Sequence, residues 1–442
     1  MRRDTVANTV EPMETFLTAE QDFVKRAPIA SPLKRPQSLA DVDVPLGFLE
    51  DLSLKTLYLS GSISVLDLSK RIHLCYEVAN ELFFRLRNEV LVHVTGMTGN
   101  IPILAITSQG RARAMELLGQ NHYTGACPIT LDSYVEQTRS QSVKKVTIRP
   151  DDVSRGFAHL VVDYATLDKF GTALNSGSSL FLYGPAGVGK TTMAEALSRV
   201  LAEDKVWLPY GIEIDGQVIT IYDPAIHRRV ADEEPEYHDD RWVLCERPNV
   251  LVGGELTAEM LDLDFNPITK FYVGPIQLKA NNGVLIIDDF GRQRVRPEEL
   301  LNRWVVPLDR RIDFLTLAGG KKIEVPFEML VVFASNMDPA QLGDAAFLRR
   351  IQTKIKLGEV TDEQFREIMR RVTRENGVDV DPAAVNFLIN YIHGTLRQEL
   401  RSCYPRDVVN QIVWAARYEG KRPYLDLASV NRAIEAYFLP PA

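Results

Sequence analysis

SLFLYGPAGVGKTT occupies residues 179–192 and determines the predicted fold. The apolar run at 180–183 predicts a buried strand, and the residues from Thr191 onward, TTMAEALSRVLAE, predict a helix. The turn between them has the pattern G-x-x-x-x-G-K-[ST], which is typical of a loop that binds phosphate. Glycines let backbone N–H groups point inward at a phosphate, and the N-terminus of the following helix adds positive potential. The stretch therefore predicts a P-loop in an α/β domain.

The loop residues supply the predicted nucleotide contacts. We expect the Lys190 ammonium to bridge the β- and γ-phosphates of ATP and the Thr191 hydroxyl to bind Mg²⁺. A glycine-rich turn without a ligand is the alternative, and the strand before the turn and the helix after it argue against that alternative. The predicted nucleotide-binding residues of this stretch are Gly184, Pro185, Ala186, Gly187, Val188, Gly189, Lys190, Thr191 and Thr192.

A second apolar run ends in two acids. Residues 284–290 read VLIIDDF, and a buried strand that stops at Asp288 and Asp289 needs a positive partner there. A P-loop ATPase needs an acid that holds Mg²⁺ and a residue that orients the attacking water. We therefore assign Asp288 to the metal and Asp289 to the water. In the alternative, the two acids only cap a strand at the surface.

Composition bounds the class of protein. A chain of 442 residues is long enough for two or three domains. Its formal net charge of −8 gives no general attraction to nucleic acid or to anionic membranes. The four cysteines form no C-x-x-C pair, which disfavours a zinc site or a disulfide framework. Neither an apolar run of about 18 residues nor a signal-peptide pattern occurs, so we expect a cytoplasmic protein without membrane insertion.

The chain divides into successive predicted segments. The Pro- and Ser-rich N-terminus has too little apolar surface to fold alone and predicts a mobile tail. Because 98 residues separate Lys190 from Asp288, more than a compact core needs, we expect an insertion between them. The predicted boundaries are a tail at 1–45, a winged-helix-like domain at 46–120, a linker at 121–150, an α/β nucleotide-binding domain at 151–360 with an insertion at about 207–282, and a helical lid domain at 361–442.

Residues 46–120 predict three helices, a β-hairpin and a closing helix, an order that resembles a winged helix-turn-helix domain. Seven Lys or Arg against seven Asp or Glu leave this segment neutral. The presumed recognition helix at 75–89 carries three acids and two arginines. Because DNA affinity depends largely on phosphate neutralisation, we favour protein contact or assembly over DNA binding.

From about residue 151 to 420 the order of motifs resembles that of the AAA+ ATPases. The P-loop comes first, and the two acids form a Walker B segment after it. LVVFASN at 330–336 is similar to the family's core strand that ends in the polar sensor residue, here Asn336. The resemblance implies that Asn336 helps to hold the attacking water.

Two arginine motifs extend the resemblance. DAAFLRRI at 344–351 stands where the family has its arginine finger, which reaches the ATP of the neighbouring subunit. This implies a role for Arg349 or Arg350, and the sequence does not choose between them. YPRD at 404–407 resembles the second sensor motif and implies that Arg406 contacts the γ-phosphate from the lid.

Two further stretches narrow the resemblance. RIDFLTLAGGKKIEVP at 311–326 matches the pre-sensor hairpin of one AAA+ branch. FYVGP at 271–275 is similar to the pore loop with which unfoldases grip polypeptide, and an ordinary strand end is the alternative. Across about 46–438 the chain is similar to bacterial chaperone-like AAA+ ATPases associated with Flp-type pilus assembly, which share the N-terminal domain type, the loop, the double acid and an FLRRI segment.

These patterns predict an α/β P-loop AAA+ core with a C-terminal helical lid and an N-terminal winged-helix-like domain. The resemblance implies an ATP hydrolase that uses Mg²⁺, self-associates into a ring, expected to be a hexamer, and remodels or assembles a protein client. The alternatives are an ATP-controlled DNA-binding loader or regulator and a nucleotide switch with slow turnover. Most AAA+ proteins have Glu at the position of Asp289, and the shorter acid implies either a backbone adjustment or slow hydrolysis.

Overall fold

The computed structural model describes residues 33–341 and 348–439. Residues 1–32 of the predicted tail at 1–45 and the first half of DAAFLRRI therefore lie outside the described residues. Within the described ranges, no helix combines the length and the apolar character that crossing a bilayer requires.

The N-terminal domain has the predicted succession of elements. It consists of α1 (Leu46–Ser60), β1 (Ile63–Ser64), α2 (Val65–Ile72), α3 (Tyr76–Asn88), β2 (Val92–Thr98), β3 (Ile101–Ile106) and α4 (Ser108–Gln120). Ser64 caps the N-terminus of α2, because its hydroxyl accepts a hydrogen bond from the Asp67 N–H. Strand β1 pairs with β3, which gives the winged-helix-like domain a small sheet in the order β1-β3-β2.

Residues 33–45 pack against the folded chain, which corrects the predicted tail boundary at residue 45. Val42 and Val44 are buried in the core of the N-terminal domain. Asp43 forms an ion pair with Arg241, whose guanidinium also pairs with the buried Asp239. Composition did not reveal this packing, because a short segment needs only a few apolar side chains when a preformed surface receives it.

Residues 121–341 alternate between helices and strands. The helices are α5 (Leu131–Ser140), α6 (Pro150–Gly156), α7 (Tyr164–Ser176), α8 (Lys190–Val200), α9 (Ile276–Lys279), α10 (Pro297–Arg303) and α11 (Val305–Arg310). The strands are β4 (Ile129–Thr130), β5 (Ser179–Tyr183), β6 (Lys205–Pro209), β7 (Gly211–Ile214), β8 (Gln217–Thr220), β9 (Trp242–Glu246), β10 (Asn249–Val252), β11 (Asp264–Phe265), β12 (Tyr272–Val273), β13 (Val284–Ile287), β14 (Ile312–Thr316), β15 (Lys322–Pro326) and β16 (Leu330–Ser335). Strand β17 (Thr353–Lys356) follows.

Five parallel strands in the order β10-β13-β16-β5-β17 form the core sheet. Alternate side chains of β5 enter two apolar layers: Leu180 and Leu182 pack against α6, α7 and α8, whereas Phe181 packs on the side of α10 and α11. Strand β10 belongs to this sheet, so the predicted insertion at 207–282 contains one core strand. The predicted α/β core with a P-loop after its strand β5 and a C-terminal helical lid is confirmed.

The predicted linker at 121–150 is an integral part of a second sheet. Its strand β4 pairs with β7, and the order of this sheet is β11-β12-β8-β7-β4. Helix α5 buries Tyr134, and Gln141 donates a side-chain hydrogen bond to the Trp207 carbonyl at 2.7 Å. The linker and the insertion therefore form one unit. The sequence concealed this because their pairing partners are about 80 residues apart.

Two β-hairpins contact each other in this region, through an ion pair between Lys321 and Asp215 at their turns. Strands β7 and β8 turn at Asp215–Gly216, and β14 and β15 form the pre-sensor hairpin. The Ala318 N–H at the turn of the pre-sensor hairpin donates to the Tyr272 hydroxyl at 2.8 Å. Tyr272 is only 2% exposed, so the pore-loop prediction for FYVGP does not hold, and the stretch is a buried strand end.

The C-terminal domain is helical, as predicted. It contains α12 (Asp362–Glu375), β18 (Asp379–Val380), α13 (Pro382–Asn390), α14 (Tyr404–Glu419), β19 (Tyr424–Leu425) and α15 (Leu427–Tyr437), with a π-helical turn at Tyr391–Thr395. Thr361 and Gln364 form a capping box that begins the first lid helix.

Candidate nucleotide-binding site

Three parallel strands end at one edge of the core sheet, and a predicted site residue follows each of them. Strand β5 leads into Gly184, β13 into Asp288, and β16 into Asn336. Because parallel strands have their carboxyl ends at the same edge, these groups come together although they are far apart in the chain.

The loop between β5 and α8 has the backbone shape that its glycines predict. Gly184, Gly187 and Gly189 have φ angles of 151°, 83° and 89°, which disfavour other residues. A Cβ at Gly184 would overlap the Leu357 carbonyl oxygen. Val188 is buried in the core beneath the loop. The loop is thus held open around a site at the N-terminus of α8.

Lys190 lies inside this loop with all three of its N–H groups in use. Its Nζ donates to the carbonyls of Gly184 and Pro185 at 3.0 and 2.8 Å and to Asn336 Oδ1 at 2.6 Å. Burial lowers the pKa of the Lys190 ammonium below its usual value, although the nearby charges of Asp288 and Asp289 oppose this shift. Phosphate oxygens could replace the two carbonyls as acceptors, because they are stronger acceptors for an ammonium.

Thr191 and Asp288 form the predicted metal pair. The Thr191 hydroxyl donates to Asp288 Oδ2 at 2.7 Å, so the two oxygens already lie side by side. Mg²⁺ prefers oxygen ligands and is commonly held by one or two carboxylates together with substrate phosphates. The donor set therefore fits Mg²⁺.

Asp289 and Asn336 meet at the open side of the site. Asn336 Nδ2 donates to Asp289 Oδ1 at 2.9 Å, while Asn336 Oδ1 accepts from Lys190. Asp289 is exposed and has a left-handed backbone with φ of 48°. The arrangement aims a carboxylate into the space in front of the loop and leaves it accessible to water.

The two candidate finger arginines lie at the opposite edge of the sheet from the loop. The Arg350 carbonyl accepts a hydrogen bond from Ser179 at the first residue of β5, while the loop follows the last residue of that strand. Arg350 Nε donates to Asp309 at 2.8 Å. Arg349 is exposed, and its guanidinium has no hydrogen-bond or ion-pair partner among the described residues.

The lid contacts the loop through residues that the sequence did not indicate. Ser402 Oγ and the Cys403 N–H both donate to the Gly187 carbonyl at 3.1 Å. A Cβ at Gly187 would come within 2.6 Å of Cys403 Sγ. Arg406, the predicted lid contact, is exposed and lies near its neighbour Asp407 instead. Ser402 and Cys403 directly precede the YPRD motif, and this position in the sequence could have pointed to them as lid contacts.

Comparisons with known proteins agree with this description without extending it. A family model described as Domain of unknown function (DUF8689) matches residues 361–436, which form the lid. No curated protein matches the chain. The fold and the site define the chain as an α/β protein with a P-loop and a helical lid.

Several solved structures are similar at low identity. A P216G mutant of RuvB from Thermotoga maritima is 12% identical, with a TM-score of 0.36 over 67% of this chain and 72% of that one. NtrX from Brucella abortus in complex with ADP is 13% identical, with a TM-score of 0.39 over 65% and 59%. Domain III of DnaA from Thermotoga maritima is 15% identical, with a TM-score of 0.36 over 67% and 100%. At these values the likeness carries no inference about function.

Proposed function

We propose that this chain is an AAA+ ATPase that hydrolyses ATP with Mg²⁺. The observation that carries the proposal is the set of contacts at one sheet edge: Thr191 to Asp288, and Lys190 through Asn336 to Asp289. A structural turn would not need an ammonium, a hydroxyl, two carboxylates and an amide directed at one glycine-lined space. Phosphoryl transfer to water needs these groups.

Each residue has a role that follows from its contacts. Lys190 is placed to bind phosphate oxygens in exchange for its loop carbonyls, and Thr191 with Asp288 would hold Mg²⁺, which would neutralise charge on the phosphates. Asp289 accepts the proton of the attacking water, and Asn336 keeps the Asp289 carboxylate in place. Arg406 is proposed to turn from Asp407 to the γ-phosphate when the lid closes.

The arginine finger is proposed to be Arg349, acting in the site of a neighbouring copy. Strand β5 rises by about 3.3 Å per residue, so a group at its first residue is more than 10 Å from the loop after its last residue. Arg350 is also held by Asp309 of its own chain. The exposed Arg349 is the better candidate to cross an interface, which supports a ring, with a hexamer as the expected size.

A protein client is proposed in preference to DNA. On α3, the presumed recognition helix, Arg85 pairs with Glu50 at 2.6 Å, and Glu81 accepts from the Leu39 N–H. The chain thus uses part of the helix's positive charge itself, and the segment before α1 packs beside the helix. DNA binding depends on free cations facing the phosphates, so the winged-helix-like domain is better suited to contact a protein.

ATP turnover of the wild type beside Lys190→Ala and Asp289→Asn tests the proposal. Lys190→Ala is expected to lose both ATP binding and turnover. Asp289→Asn should still bind ATP but lose a factor of about 10²–10⁴ in kcat, as expected for a general base. If Asp289→Asn turned over ATP at the wild-type rate, Asp289 would not be catalytic, and wild-type turnover no faster than that of Lys190→Ala would favour the nucleotide-switch alternative.

A further inference from the structure

Gln293 lies four residues after Asp289, and both ends of its side-chain amide are bonded inside the turn that carries this acid. Its Nε2 donates to the Asp288 carbonyl at 2.7 Å. Its Oε1 accepts from the Gly291 N–H at 2.8 Å. The side chain therefore spans the turn from its first residue to its fourth, and it fixes the peptide that precedes Asp289 and the peptide between Phe290 and Gly291.

The turn needs such support because of its backbone conformation. A left-handed conformation costs a residue with a Cβ about 1–2 kcal/mol, and Asp289 adopts one with φ of 48°. On the sheet side, the turn is attached to β16: the Phe290 N–H donates to the Ala334 carbonyl at 2.7 Å, and Ser335 Oγ donates to the Phe290 carbonyl at 2.7 Å. Gln293 supplies side-chain hydrogen bonds within the turn itself.

We propose that Gln293 is a positioning residue for Asp289, an inference that rests on the proposed function. With Gln293 in place, the Asp289 carboxylate stays within 2.9 Å of Asn336 Nδ2 and faces the water site. Without it, the peptide between Asp288 and Asp289 loses the hydrogen bond to its carbonyl and can rotate, which carries the Asp289 carboxylate away. A shift of about 1 Å at a reacting group can cost on the order of 10²-fold in rate.

The test is steady-state ATP hydrolysis by Gln293→Ala in the full-length protein. We expect kcat to fall by about tenfold or more while KM for ATP changes by less than about twofold, because neither Lys190 nor Thr191 is touched. Arg292→Ala is the matched control, since it shortens an exposed side chain in the same turn and leaves the backbone bond from its N–H to the Asp289 carbonyl. It is expected to keep wild-type kcat and KM.

A double-mutant cycle with Asp289→Asn separates positioning from a general loss of structure. If Gln293 acts through Asp289, Gln293→Ala lowers kcat in the wild type but has little further effect in Asp289→Asn. An equal loss in both backgrounds, or unchanged kcat in Gln293→Ala alone, would overturn the positioning role. An Asp289→Asn variant with wild-type turnover would instead contradict the proposed function, so the two failures are distinguishable.

Discussion

At the scale of residues, the second acid of VLIIDDF is the most informative position. Asp289 is one methylene shorter than the glutamate that the resemblance leads one to expect, so its carboxylate needs help to reach the site. The left-handed backbone of Asp289 is an adjustment of this kind, and Asn336 Nδ2 meets the carboxylate at 2.9 Å. The short acid is therefore compatible with hydrolysis as long as its turn is held in this conformation.

Thr191→Val is expected to weaken ATP binding only when Mg²⁺ is present. Valine keeps the branched shape of threonine but removes the hydroxyl that lies 2.7 Å from Asp288 Oδ2. The measurement is ATP affinity with Mg²⁺ and with excess chelator. Ser198→Ala is the control, because the Ser198 hydroxyl donates to the Glu195 carbonyl in the same helix. Equal losses under both conditions would contradict the assignment of Thr191 to the metal.

Local sequence patterns predicted those candidate site residues that come directly after a strand. The P-loop, Asp288, Asp289 and Asn336 each follow an apolar run, and parallel strands bring such ends together. Contacts that depend on docking were not predictable. Predicting the contact of Ser402 with Gly187 requires knowledge of where the lid packs. The hydrogen bond of Gln293 to the Asp288 carbonyl can be recognised only from the structure of the turn that precedes Gln293.

At the scale of elements, the pre-sensor hairpin joins the nucleotide site to the second sheet. Strand β15 leads through a short connection into β16, and Asn336 follows the last residue of β16. The side chains Leu315 and Ile323 of the hairpin share an apolar core with Ile212 and Tyr272 of the second sheet. The hairpin was predicted from its own sequence. Its packing against the second sheet was not predicted, because the residues in contact are far apart in the chain.

Tyr272→Ala is expected to destabilise the protein by roughly 3–5 kcal/mol, as for other large aromatic side chains removed from a core. The substitution removes a buried ring and the acceptor for the Ala318 N–H. Urea unfolding measures this loss. Tyr418→Ala is the control, because the Tyr418 side chain is 88% exposed and its loss should change stability by about 0.5 kcal/mol or less. Unchanged stability of Tyr272→Ala would contradict the burial of Tyr272, which is the ground for rejecting the pore-loop interpretation.

At the scale of the whole molecule, we propose that the nucleotide site is completed only in an assembly. Arg349 and the P-loop lie at opposite edges of the core sheet of one chain, so the proposed finger would act on the ATP of a neighbour. Turnover per chain is therefore expected to fall steeply when the protein is diluted below the concentration at which the ring forms. ATP hydrolysis that stays proportional to protein concentration down to nanomolar levels would argue against a ring.

Complementation between two inactive variants tests the central claim most directly. Lys190→Ala lacks a nucleotide site but keeps Arg349, whereas Arg349→Ala keeps the site but lacks the finger. When the two are mixed in equal amounts, roughly a quarter of the interfaces should pair an intact site with an intact finger. The measurement is ATP turnover of the mixture, and we predict about a quarter of the wild-type rate from two proteins that are inactive alone. A mixture no more active than its separate components would contradict the account.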